Sequence, residues 1–344
     1  MDNSEINIRV KPWKEKFPPK RILAIRLHAM GDVIITLPYL QSLKNILPEN
    51  VQIDFLTLEE CVSIPRNIEL FNKIYVIRGG RNFKKQLMFT FFLLPKLLLN
   101  RYDIVLDLND AIISRWVKKI LFPKAWTTFD RFFPIPAGER TRLTIEAVGL
   151  GEINMSAKFK LKSDLHIENI LKENGWKNDN KLIILNPAGA FETRNWTLEN
   201  YVEFAKLWLQ LFPATQFLIL GVNNISSKAN YFKKELNDHL INLVNKTTPA
   251  QAFVIIQRVA MTLTEDSGLM HMSWVSGIPT LALFGSTRSY HAKPLGEKSF
   301  LFDSSDLPCG NCMLEVCKYG DTHCLTRYSP KIVFEKAREL IDNG

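Results

Sequence analysis

No uncharged apolar stretch among the 344 residues is long enough to span a bilayer. The opening segment, MDNSEINIRVKPWKEKFPPKR, has no apolar h-region, so no signal peptide is expected there. Cysteine is scarce: five in all, four of them close together near the C-terminus, which is not the spread framework of a secreted disulfide scaffold. The simplest expectation is a cytoplasmic protein. Short-period repeats and low-complexity tracts are missing, which argues against solenoids and disordered tails. So are the Gly-x-Gly-x-x-Gly fingerprint, the P-loop and any Asp-x-Asp pair. Neither a helix-turn-helix nor an RNP motif is recognisable.

What is present is an ordinary globular composition, 46% hydrophobic and 23% charged, in a chain large enough for two domains. The net charge is +9 and the pI about 9.2. That excess suits a nucleic acid, an anionic membrane face or a phosphorylated substrate, or it is only a basic surface.

The first half alternates strand-like and helix-like pieces, with strands expected at Ile22–Leu27, Gln52–Leu56, Lys73–Ile77 and Ile104–Leu108. Residues 83–102, FKKQLMFTFFLLPKLLLNRY, form a very apolar segment bordered by Lys84, Lys85, Lys96 and Arg101. Pro95 is expected to kink or end a helix there. The segment reads as a half-buried helix of the first domain, or as one lying on an anionic membrane. A polar stretch, 159–180, with one short helix at 164–174, marks the domain junction.

A second alternating series follows. Strands are expected at Lys181–Pro187, Gln216–Leu220, Ile241–Val244, Met261–Thr264 and Pro279–Phe284, the last of the series. Thr197 caps a helix over Thr197–Leu211, and Thr248-Pro-Ala-Gln251 carries a capping-box signature. Asp266 is expected to cap a helix over Ser267–Ser276, closed by Gly277. The domains are therefore 1–165, 166–330, and a C-terminal helix over 331–344 that could pack back on the first domain. Alternation of this kind means an α/β fold with parallel sheets covered by helices.

Three junctions could carry chemistry. Asp32, after Gly31, stands at the carboxyl edge of the first strand, where open α/β sheets keep their sites; it could equally be a helix cap. Ala188-Gly189-Ala190 with Arg194 would offer backbone N–H groups and a planar cation to a diphosphate. Ser267 and Gly268 would offer amides at a helix N-terminus. Asp266 would take a sugar hydroxyl or ribose, and His271 lies one turn further on.

In order, Gly31-Asp32 with Pro38, Tyr102-Asp-Ile-Val-Leu-Asp107, Pro187-Ala-Gly-Ala with Arg194 and Trp196, Asp266-Ser-Gly-x-x-His271 and Phe284-Gly285 resemble glycosyltransferase family 9. These are the ADP-heptose:lipopolysaccharide heptosyltransferases, and the resemblance runs from about Arg21 to Pro330. It implies a GT-B fold: two Rossmann-like domains facing across a cleft. It also implies an inverting transfer from an ADP-sugar donor to the lipopolysaccharide inner core. Asp32 would be the catalytic base. Donor-binding residues would be Gly31, Gly189, Ala190, Arg194, Asp266, Ser267, Gly268 and His271. No cofactor and no catalytic metal are expected. Peripheral contact with the cytosolic face of an inner membrane fits; a nucleic-acid partner does not.

The sequence departs from the family pattern at Asn223–Asn230, where some members carry an acidic nucleotide contact, and at Gly285-Ser-Thr-Arg288. Donor identity stays open. The alternatives are another nucleotide-sugar, a protein acceptor, or an epimerase on the same fold. The acceptor is expected on the first domain, with Arg115, Lys118, Lys119, Arg131, Arg140 and Arg142 as basic candidates. Cys309, Cys312, Cys317 and Cys324 read as reduced thiols in an irregular loop, or as ligands of a structural metal.

Overall fold

The computed structural model describes residues 6–342 and divides into two compact units, Met1–Lys162 and Ser163–Gly344. Each is a six-stranded sheet, with helices between successive strands except between the first two of the first unit.

The first unit contains β1 (Arg9–Lys11), β2 (Arg21–Ile25), β3 (Gln52–Leu58), β4 (Ile74–Ile77), β5 (Ile104–Asp107) and β6 (Ala125–Thr128). They lie in the order β1-β6-β5-β2-β3-β4, all parallel except β1, which pairs antiparallel with β6. β2, β3 and β5 are buried almost throughout, as parallel strands covered on both faces must be. The longer helices of this unit are α1 (Met30–Ile46), α2 (Phe83–Leu99), α3 (Ile112–Leu121) and α4 (Ala137–Glu146). The sheet reverses its winding between β2 and β5. Its switch point is therefore built by the loops that follow those two strands.

The second unit contains β7 (Lys181–Asn186), β8 (Thr215–Ile219), β9 (Leu240–Asn242), β10 (Met261–Glu265), β11 (Thr280–Leu283) and β12 (Ser299–Phe302). All are parallel, in the order β12-β11-β10-β7-β8-β9. Its longer helices are α5 (Leu198–Leu211), α6 (Ser226–Leu236), α7 (Pro249–Ile256), α8 (Gly268–Val275) and α9 (Pro330–Asp342). The switch point falls between β7 and β10. Trp196, Tyr201, Phe204, Phe217 and Phe232 fill the core beneath it. α9 packs on α5 within this unit, with Phe334 edge-on to Trp208 at 5.7 Å and near Phe204 at 6.5 Å.

Several expectations are corrected. Phe284 does not end the sheet: β12 follows, with half-buried side chains whose pattern is too weak to read as a strand. Ser267, not Asp266, caps α8, its Oγ accepting from Met270 N at 3.3 Å. α2 runs through Pro95 to Leu99, so of the two outcomes expected at Pro95 the helix does not end there. The carbonyl that Pro95 deprives of a partner belongs to Phe91, at an exposed position where water can take its place. The capping box expected at Thr248 and Gln251, by contrast, does form, in both directions, at 3.3 and 2.8 Å.

Candidate active site

In the first unit, β2 delivers Arg26 into the switch point and α1 begins four residues later. Asp32 occupies the third position of α1. Its Oδ2 accepts the Ala29 N–H at 3.1 Å, half of a capping box, and its Oδ1 pairs with Arg26 Nη2 at 2.9 Å. The carboxylate is thus both a helix cap and an ion-pair partner. Yet its side chain remains 38% exposed, so lone pairs are left for a ligand.

Arg26 itself is buried. A second nitrogen donates to the Leu108 carbonyl after β5, and the guanidinium lies 4.8 Å from the centre of the Phe129 ring. Arg140, from α4, lies over the same ring at 5.3 Å and donates to the Arg131 carbonyl. Asn109 Oδ1 accepts the Leu27 N–H at 3.1 Å, which ties the two switch-point loops together. Arg26, His28, Asp32, Asn109, Phe129, Arg131 and Arg140 line one cavity of about 200 Å³. Among the described residues, three donors of this lining have no partner, and each is itself closed off from solvent: Arg26 Nε, Asn109 Nδ2 and Arg140 Nε. Buried N–H groups of this kind are costly unless something accepts from them. A cavity lined by three arginines suits an anionic oxygen group. Burial, helped by Arg131 and Arg26, lowers the pKa of His28 and keeps its imidazole neutral.

Of the six basic candidates named from the sequence, only Arg131 and Arg140 reach this cavity. Arg142 is spent on Glu139 and Glu146, Arg115 on Asp110, and Lys118 on Asp107 and the face of Trp126.

In the second unit the loop after β7 is clamped from inside by Glu265, the last residue of β10. One carboxylate oxygen takes the Gly189 N–H and the other the Trp196 N–H, both at 2.7 Å. Gly189 must be glycine: an added Cβ would stand 2.4 Å from the Arg194 carbonyl and 2.9 Å from Glu265 Oε2. Glu265 is fully buried, and burial pushes its carboxyl up to about 8 against the pull of the Gly189 amide and of Lys228. Lys228, from α6, donates to the Pro187 carbonyl at 2.6 Å and to Asn195 Oδ1, and its pKa is lowered by burial.

The neighbouring Asp266 holds the same loop from outside. Its Oδ2 pairs with Arg194 Nη1 at 3.0 Å and accepts from Thr287 Oγ1 at 3.0 Å. Arg194 also covers the Phe191 ring at 4.6 Å. Ser267 Oγ, besides capping α8, accepts from Asn186 Nδ2 at 2.7 Å. A Cβ added at Gly268 would meet no protein atom, so the first turn of α8 faces open space that a ligand can approach closely. His271 Nδ1 accepts from Trp274 Nε1 at 3.0 Å. Ala190 is exposed at the loop tip, and Gly31 follows Met30 in the first turn of α1.

The switch point of the second unit therefore gathers Gly189, Ala190, Arg194, Asp266, Ser267, Gly268 and His271 from the sequence reading. The first gathers Gly31 and Asp32. Sequence reasoning missed Arg26, His28, Asn109 and Phe129 on one side, and Glu265, Lys228 and Thr287 on the other. The only available signal was position: Arg26, Asn109 and Glu265 all stand at or just beyond strand ends.

Cys309, Cys312, Cys317 and Cys324 are unpaired and border a separate cavity of about 450 Å³. Among the described residues, no group of three or more His, Cys, Asp or Glu is arranged to hold a metal ion.

The family model for glycosyltransferase family 9 (heptosyltransferase) matches residues 139–323, more than half of the chain. The chain is 27% identical over 318 residues to lipooligosaccharide heptosyltransferase 2 of Campylobacter jejuni, covering 90% of this chain and 96% of that one. Among solved structures, the glycosyl transferase family 9 protein of Veillonella parvula aligns with a TM-score of 0.79 at 18% identity, over 94% of this chain and 98% of its own. The ADP-heptose lps heptosyltransferase II of E. coli aligns with a TM-score of 0.71 at 18% identity, over 94% and 99%. The fold shared with these structures is GT-B.

Proposed function

The chain belongs to glycosyltransferase family 9, a family of heptosyltransferases, and on that premise we propose that it moves heptose from ADP-heptose to the inner core of lipopolysaccharide or lipooligosaccharide. The transfer is inverting and metal-independent, with Asp32 as general base. The observation that carries this reading is the setting of Asp32: a partly exposed carboxylate at a switch point, in a cavity also lined by Arg26, Arg131 and Arg140.

A sugar hydroxyl is a weak nucleophile, and a positioned base contributes about 10²–10⁴ in rate. In the reaction the acceptor oxygen attacks the anomeric carbon. The new C–O bond forms as the bond from that carbon to the ADP phosphate oxygen breaks. The hydroxyl proton goes to Asp32, and ADP leaves with the bonding electron pair. Arg26 holds one oxygen of Asp32 and the Ala29 amide the other, so the carboxylate is oriented before substrate arrives. An anionic group of the acceptor, a carboxylate or phosphate, fits the cavity lined by Arg26, Asn109, Arg131 and Arg140.

On the donor side, Arg194 takes the diphosphate by exchanging its pairing with Asp266, which is then free for a donor hydroxyl. The amides at the start of α8 stabilise the charge that grows on the leaving group. This is the role a metal has in transferases that carry Asp-x-Asp, a motif missing here. Donor choice is supported by the likeness to the E. coli protein described as an ADP-heptose transferase.

The test is ADP release from ADP-heptose by the purified protein, with and without de-acylated, heptose-deficient inner core. Release that requires the acceptor and vanishes in Asp32→Ala, with ADP binding retained, is the expected result. Loss of ADP binding in that variant would remove Asp32 from the role of base.

A further inference from the structure

α2 (Phe83–Leu99) turns an unusual face to solvent. Of its 17 residues only Thr90 and Leu97 are buried. Phe89, Leu93 and Leu94 pack on the core of the first unit. The opposite face carries Phe91 at 70% exposure, Phe92 at 65% and Leu99 at 83%, with Met88 beside them. At 100° per residue, positions 88, 91, 92, 95 and 99 form a single stripe, so these side chains are one patch and not scattered apolar residues. Contiguous exposed patches of large apolar side chains mark contact surfaces.

The charge around the stripe has one sign. Between Arg78 and Arg101 there are six basic residues and not one Asp or Glu: Arg78, Arg81, Lys84, Lys85, Lys96 and Arg101. Lys85 and Lys96 line one edge of the stripe and Lys84 stands at its N-terminal end. Among the described residues no helix is long and apolar enough to cross a membrane. An apolar stripe edged by lysines, on a helix too short and too charged to span, is the pattern of a helix lying in the plane of an anionic interface.

We propose that the outer face of α2 docks on an anionic lipid bilayer, with Phe91, Phe92 and Leu99 entering the acyl boundary and Lys84, Lys85 and Lys96 meeting headgroup phosphates. Charge complementarity selects this occupant over a second copy of the chain, whose equally basic helix would be repelled. The N-terminal end of α2 also opens toward the candidate site. Arg81, Phe83 and Gln86 share a cavity of about 840 Å³ with His28, Ala29 and Met30, the loop leading into Asp32. A lipid-borne acceptor held in the docked membrane would meet the protein next to its base. That purpose rests on the transferase reading; the docking itself does not.

The experiment is flotation of the full-length protein with phosphatidylcholine vesicles, with and without phosphatidylglycerol. Three proteins are compared: wild type, Phe91→Ser/Phe92→Ser/Leu99→Ser, and Lys84→Gln/Lys85→Gln/Lys96→Gln. The wild type is expected to float with anionic vesicles and to be released by salt. The apolar variant should lose at least tenfold in partitioning, and the cation variant about fivefold per lysine. Both should keep the wild-type melting temperature and transfer to soluble, de-acylated acceptor, because all six positions are exposed. Absence of wild-type binding would overturn the proposal, as would binding unaffected by the apolar substitutions. A concentration-dependent dimer abolished by those substitutions, without vesicle binding, would overturn it in favour of a second copy. Vesicle binding in a protein inactive on soluble acceptor would leave the docking intact and sink the transferase reading instead.

Discussion

Glu265 gives the most quantitative prediction. It is a fully buried carboxyl between two loop amides, with a pKa pushed up to about 8 from an ordinary 4.5. Tyr201 is within reach of the same carboxyl: its hydroxyl hydrogen-bonds Glu265, which with the two amides pulls the pKa down against burial, and lies 3.4 Å from the Asn186 carbonyl. Because the folded state raises this pKa, the neutral form is the one the fold prefers. Its contribution to stability is fully present below pH 4.5 and is lost as pH rises through about 8. A shift of this size corresponds to roughly 5 kcal/mol at 1.36 kcal/mol per unit, an upper figure since local relaxation offsets part of it.

The perturbation is Glu265→Gln. The side-chain amide matches one loop N–H but turns its own NH₂ toward the other, at a cost of about 1–3 kcal/mol. The assay is urea unfolding of both proteins from pH 5 to 9. At pH 5 the wild type should be the more stable. By pH 9 the difference should have closed or reversed, because the wild type must bury a charge that the variant lacks. A difference that stays flat across this range would refute the argument that Glu265 is protonated in the folded protein.

Other outcomes follow from the same geometry. Asp32→Asn should lower transfer by about 10²–10⁴ with ADP affinity within twofold of wild type, measured by ADP release and calorimetry. Arg131→Ala, at an exposed position, should raise the acceptor KM at least tenfold and leave the donor KM unchanged; equal effects on both would contradict an anion pocket for the acceptor. Gly189→Ala forces the loop away from Arg194 and Glu265, so ADP binding should weaken and the chain should lose about 1–3 kcal/mol in thermal unfolding.

The fold was legible because parallel strands announce themselves. Ile22–Ile25 and Leu182–Leu185 are continuous apolar runs, and the capping signals at Thr197 and Thr248 mark where helices start. β1, β6 and β12 were not legible, since an exposed edge strand, the short Ala-Trp-Thr-Thr of β6 and a half-buried strand carry no such run. Asp32 and Asp266 could be picked out as carboxylates at strand ends. Their partners could not. Arg26 meets the Leu108 carbonyl and the Arg140 side chain shares its aromatic ring, contacts that close only when β2, β5 and α4 come together. Glu265 looked like one more strand residue, and only its burial and its two amide bonds give it a role. The tie between base and cap at Asp32 was posed by the sequence as a choice; the geometry lets one carboxylate serve as cap while still presenting an open edge.

The most direct test of the central claim is ADP release from ADP-heptose with heptose-deficient inner core present or absent, run in parallel on wild type and Asp32→Ala. The account predicts release that depends on acceptor in the wild type and none above background in the variant, with ADP binding equal in both. Acceptor-dependent release that persists in Asp32→Ala would contradict it, and would leave Asp32 with no task beyond capping α1.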